Sequence, residues 1–210
     1  PEEMISDHAE KLLDVKDILN GQTKLFFERN TGREALQFYV SALLADAGLG
    51  LSFMTLKTGT VLIGVFSIPA IFALTRVWFE LPTALTATFF LAVSRWHLTV
   101  SRAGLRFTFL PVLAALTCLF LLRAMRYRRR NDFLLMGLVI GVGMHTYTPF
   151  RIIPLAVMTC LGIELVLDIT RRPDGWDRAR QTFVNSLLAA AVALLVFLPL
   201  GRFALERPDL

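Results

Sequence analysis

Six apolar stretches, each near the length that crosses a bilayer, fill most of the chain between residues 55 and 201. A spanning helix needs about 20 mostly apolar residues, because no water is present to satisfy an exposed backbone. The stretches fall near 55–76, 82–98, 105–123, 132–149, 151–169 and 182–201. No soluble core absorbs all six. Of 210 residues 55% are hydrophobic and 19% charged, against about 45–50% and 25% in ordinary domains. The expected fold is all-α, a polytopic transmembrane helical bundle. Pro69 predicts a kink in the first span. Asp132 predicts an N-cap at the start of the fourth.

Loop charge predicts orientation. The two basic loops, "RAMRYRRRND" at 123–132 and "ITRRPDGWDRARQ" at 169–181, fall on the same side of the bundle. The excess of arginine marks that side as cytoplasmic. Residues 1–50 then face outward, together with "SRWHLTVSRAGLR" (94–106), "YTPFR" (147–151) and "GRFALERPDL" (201–210). The expectation is a multi-pass integral membrane protein, in the cell membrane if prokaryotic, with its first loop extracytoplasmic. A net charge of +5 does not imply nucleic acid, since the densest basic run lies between two apolar stretches and reads as a loop anchor. Glu164 and Asp168 are expected to pair with Arg171 and Arg172. Cys118 and Cys160, both in apolar runs, read as small buried hydrophobes. The ends, at Pro1 and "ERPDL", suggest a fragment of a longer chain, with a helix before it and more spans after.

Two regions follow: 1–50, an extracytoplasmic first loop, and 51–210, a transmembrane region of about six helices. The first loop reads as two amphipathic juxtamembrane helices. One follows "SDHAEKLLDV", with Asp7 and Glu10 at capping-box spacing and Asn20-Gly21 as its stop. The other is "REALQFYVSALLAD" at 33–46, closed by Gly48 and Gly50. Both are too short to span and suit the interface.

The outward face collects chemistry-bearing residues. Asp7, His8, Glu10, Arg33 and Glu34 come from the first loop, Arg95, His97, Arg102 and Arg106 from the second, and His145, Tyr147 and Arg151 from the third. Asp7 reads either as a helix cap or as a general base. The arginines read either as headgroup anchors or as an anion site, since guanidinium forks bind two phosphate oxygens at once. A lipid-linked phosphosugar attacked by a hydroxyl needs both a base and a phosphate clamp. Asp7 and Glu10 also leave open a divalent metal held with phosphate oxygens. No tight His/Cys metal spacing, P-loop, dinucleotide fingerprint or serine elbow occurs.

The order "SDHAEKL", "GREALQFY", "AVSRWHLTVSRAG", "GMHTYTPFR", with helices between, resembles the C-type-fold membrane glycosyltransferases. It is most similar to the protein O-mannosyltransferase-like group of glycosyltransferase family 39. The resemblance covers nearly the whole chain through short motifs. It implies an acidic first loop, a polyprenyl-phosphate-sugar donor, a protein or glycolipid acceptor, and contact with membrane lipids. It places Asp7 as the catalytic acidic residue, with His8 where a Glu is common. Taken with the residue reading, Arg102 and Arg151 are expected to hold the donor phosphate, and Glu10, Arg33 and Glu34 to line or brace the site. "SRAGLRF" departs from the family pattern, with Arg106-Phe107 where an Asp often follows. The expected reaction is inverting transfer of a mannose-like hexose to a hydroxyl. The rival expectations are a transporter or lipid flippase and a non-catalytic membrane subunit.

Overall fold

The computed structural model describes residues 6–29, 32–171 and 173–206. Its order is α1 (Ser6–Leu19), β1 (Phe26–Phe27), β2 (Arg33–Glu34), α2 (Leu36–Leu44), α3 (Phe53–Trp78), α4 (Leu81–Val93), α5 (Arg95–Ser101), α6 (Phe109–Tyr127), α7 (Arg130–Gly143), α8 (Ile152–Arg171) and α9 (Gly175–Glu206). A π-helical turn, Ala45–Leu49, closes α2. Short 3-10 turns, Arg106–Thr108 and Thr148–Arg151, precede α6 and α8. The chain is an all-α polytopic membrane protein.

Among the described residues, four helices are long and apolar enough to cross a membrane: Phe53–Trp78, Arg106–Tyr127, Thr148–Arg171 and Gly175–Glu206. The other two expected spans are shorter. The stretch at 82–98 breaks at Ser94, whose Oγ caps α5 by accepting from the His97 amide. α5 then continues along α3: His97 Nε2 lies 3.4 Å from Ser67 Oγ, and Ser101 packs against Gly64. His97 therefore sits beside the middle of α3, not in the outer loop where the sequence reading put it. α7 has 14 residues, about 21 Å at the helical rise of about 1.5 Å per residue. It begins at Arg130 without a side-chain cap. Asp132, expected to cap it, instead accepts from Arg123 Nε at 2.7 Å. α3 runs on as helix across Pro69.

Packing follows from small residues. Gly137 and Gly141 lie one turn apart on α7 and bring it against the α9 backbone. A Cβ on Gly137 would strike the Ala189 carbonyl, and one on Gly141 would crowd Val196 and the Ala193 carbonyl. Close approach at small-xxx-small positions earns dispersion contacts that lipid cannot supply. Around it, Leu121, Ala124, Phe133, Met136, Val157 and Leu161 form the main buried cluster. The outer faces of α8 and α9 stay apolar and exposed, for example Met158, Val166 and Leu195, as lipid contact requires. Cys118 and Cys160 are also exposed on their helices, which corrects their reading as buried.

At the end of the bundle opposite α1, Arg128 joins three helices. It stands in the left-handed region, φ 53°, a conformation that costs a non-glycine residue about 1–2 kcal/mol. What holds it there is a set of charge-assisted bonds. Its Nη2 donates to both Asp168 oxygens, at 2.8 and 2.6 Å, and to Glu164 at 3.0 Å. Its Nη1 donates to Thr182 at 2.7 Å. The expected partners were Arg171 and Arg172. Arg128 takes the place of the first, and Arg172 lies outside the described residues. Most of the second basic loop is itself helical, as the first turns of α9.

Candidate functional site

The first loop folds into a small module on one end of the bundle. Val15, Phe27, Ala35, Phe38, Ala42 and Leu56 form its core. Gly21, at φ +87°, ends α1 where Asn20-Gly21 predicted a stop. The second helix is shorter than expected. Arg33 and Glu34 are not helical but pair antiparallel with Phe27 and Phe26.

That two-residue strand organises the site. Successive strand side chains point to opposite faces. Arg33 turns to α1, where its Nη2 donates to Asp7 at 2.6 Å and Glu10 at 2.8 Å. Glu34 turns to the ends of the spans. It accepts from Arg106 at 2.8 Å and Thr148 at 3.0 Å, with Arg151 at 3.8 Å. Arg33 and Glu34 are buried, at 2% and 3% exposure. They join the first loop to the turns before α6 and α8 through charge.

Asp7 lies in the first turn of α1 rather than serving as a cap within it. One oxygen meets Arg33 and the other meets Lys11 Nζ at 2.6 Å. Each carboxylate oxygen can accept about two hydrogen bonds. The side chain is 27% exposed, so Asp7 is both fixed by cations and reachable. Burial pushes the Lys11 ammonium below its usual range, against the opposing pull of Asp7. Asp14, fully buried, is pushed up by burial despite Arg29 at 2.5 Å.

The expected residues divide into two groups. Asp7, Glu10 and Arg33 form one cluster, and Glu34 with Arg151 forms the adjoining one. Arg102 is exposed on the loop after α5 and makes no ion pair among the described residues. It lies at the same end as Asp7, because His8, next to Asp7, hydrogen-bonds Ala103, next to Arg102. The seat a divalent cation would take between Asp7 and Glu10 is filled by Arg33, so these two acids do not fit a metal. Among the described residues no three His, Cys, Asp or Glu side chains form a metal-binding group.

Sequence reasoning did not select Lys11 and Thr148, and it counted Arg106 among the outward arginines without giving it a place at the substrate. Lys11 was detectable, since it stands four residues after Asp7, the spacing of a helical ion pair. Arg106 stacks its guanidinium 5.4 Å from the Tyr147 ring centroid while it holds Glu34. Only the tertiary fold brings these segments together.

The fold is a bundle of apolar helices of membrane-spanning length, with a module of paired acids and arginines at one end. The family profile for dolichyl-phosphate-mannose-protein mannosyltransferase matches residues 38–202, and the chain belongs to that family. It is a membrane glycosyltransferase of the mannosyltransferase kind. Arg102 and Arg151 lie within the matched span, while Asp7, Glu10, Arg33 and Glu34 precede it. No curated relative and no solved structure matches the chain.

Proposed function

We propose that the chain transfers a mannose-like hexose from a polyprenyl-phosphate-linked donor to a hydroxyl of a protein or glycolipid acceptor, with inversion, on the extracytoplasmic side. Asp7 is the general base. The acceptor oxygen attacks the anomeric carbon as Asp7 takes its proton. The bond from that carbon to the phosphate oxygen breaks, and the lipid phosphate leaves with the electron pair. Arg102 and Arg151 meet the charge that grows on the phosphate, the kind of stabilisation that is strongest in the transition state. Glu10, Arg33 and Glu34 brace the site, with Arg106 and Lys11 added to that frame.

The observation that carries this reading is Asp7 itself. It is a part-exposed carboxylate held by Arg33 and Lys11, at the end of the bundle where Arg102 and Arg151 gather. Arg102 suits the phosphate best, because Glu34 already draws on Arg106 and Arg151.

The test uses the intact protein in liposomes with a polyprenyl-phosphate hexose and a hydroxyl acceptor. Asp7→Asn is expected to lower turnover by about 10²–10⁴-fold, the usual weight of a general base, while the protein stays folded and inserted. Full activity in that variant removes Asp7 from the mechanism. Donor movement across the membrane without sugar transfer supports the transporter or flippase reading instead.

A further inference from the structure

The loop after α5, "RAGLRFT" at 102–108, carries Arg102 and Arg106 and is gripped by two buried side chains. His8 Nε2 lies 2.8 Å from the Ala103 carbonyl oxygen, and Gln37 Nε2 donates to the Gly104 carbonyl at 2.8 Å. A carbonyl only accepts, so His8 carries a proton on Nε2. His8 is 5% exposed and Gln37 3%. Gly104, at φ +69°, gives the backbone the turn that aims both carbonyls at the first-loop module. A Cβ at Gly104 would stand 3.3 Å from His8 Nε2, so the loop and the imidazole are in contact. The remaining oxygen of the Gln37 amide is buried without a hydrogen bond. The amide keeps its donor in place at the cost of an unmet acceptor.

These donors come from the elements that carry the acidic cluster. His8 follows Asp7 on α1, and Gln37 stands in the first turn of α2, three residues after Glu34. We propose that His8 and Gln37 are positioning residues that set where Arg102, and with it the donor phosphate, stands relative to the Asp7 carboxylate. The inference rests on the proposed function. A short loop with a glycine is soft, and phosphate binding by one arginine depends on where its backbone is fixed. Two buried hydrogen bonds to consecutive carbonyls leave the loop one place to stand. Neither side chain has to touch the donor.

The test measures the donor KM, the acceptor KM, turnover, the melting midpoint and binding of polyprenyl phosphate, all in the intact protein. His8→Ala and Gln37→Met each remove a donor, the second at nearly the same volume. Both are expected to raise the donor KM and weaken polyprenyl phosphate binding by roughly tenfold, the upper range for one buried hydrogen bond, with the acceptor KM unchanged. His8→Gln, which restores an N–H of similar reach, is expected to recover most of the loss. A lower melting midpoint with unaltered constants for the folded protein overturns the proposal. So does an equal rise in both KM values. Should His8→Ala fail to fold, Gln37→Met decides. If Asp7→Asn is inactive while these variants bind donor normally, only the positioning role fails. If Asp7→Asn is active, the catalytic reading fails, and phosphate binding still tests the latch.

Discussion

Single side chains at the α1 end work by charge in places water barely reaches. Arg33 is the clearest, buried between two partly exposed acids. Removing one partner of a buried pair leaves an uncompensated charge. Arg33→Met is therefore expected to destabilise the first-loop module by about 3 kcal/mol, the low end for such losses because Glu10 and Asp7 reach water. Protease protection of residues 6–29 reports it. Arg33→Lys is expected to rescue in part, since a single nitrogen makes both bonds to the acids and an ammonium keeps that charge on a shorter reach. Asp14 predicts a pH dependence. Its carboxyl is raised above the ordinary 3.8 by burial, so the folded state holds its proton more tightly than the unfolded chain. Its own contribution to stability is fully present below 3.8 and is lost as pH climbs through the folded value. Lys11 is lowered from 10.5, so its burial costs most at neutral pH and the cost fades as pH rises toward 10.5. Asp14→Asn is expected to flatten the acidic limb of the stability–pH curve and leave the alkaline limb intact.

Helices pair here through what they lack. Gly137 lets α7 meet α9 at backbone distance, and a side chain there has nowhere to go. Gly137→Val is expected to cost about 1–3 kcal/mol, as overpacking usually does, read as a lower melting midpoint in detergent. Gly162 on α8 is the control, with nothing within 4 Å of an added Cβ. Gly162→Ala is expected to be neutral or to stabilise by up to about 1 kcal/mol through helix propensity. The length of the apolar stretches revealed α3 and α8 close to their observed bounds and α6 about a turn off, because hydropathy acts locally, while α9 begins two turns earlier than its apolar stretch, inside the basic loop. It did not reveal the break at Ser94. That break depends on a serine capping α5 and on His97 finding Ser67 across on α3.

Across the whole molecule, ion pairs tie each end of the bundle. The Arg128 cluster joins the turn after α6 to α8 and α9, while Glu34 joins the first loop to the turns before α6 and α8. Arg128→Gln strands Asp168 and Glu164. It is expected to lower the melting midpoint while leaving the donor KM of the folded fraction unchanged, because it acts at the opposite end from Arg102. Orientation has its own check. In a background without Cys118 and Cys160, a cysteine at exposed Gln22 is expected to react with an impermeant maleimide from outside. One at exposed Arg129 is expected to react only after the membrane is opened. The reverse pattern turns the molecule over.

The amino-acid order by itself determined that this chain is a helical membrane protein with acids and arginines gathered between its apolar stretches. Hydropathy and loop charge are properties of neighbouring residues, and a bilayer reads them locally. The tertiary structure alone decided which charges meet. The Arg33–Glu34 strand sends its two side chains to opposite faces, Arg106 reaches Glu34 across 72 positions, and Arg128 takes the place of Arg171 beside Asp168. Pairing of charges is a matter of distance in space, and that distance is set by helix packing.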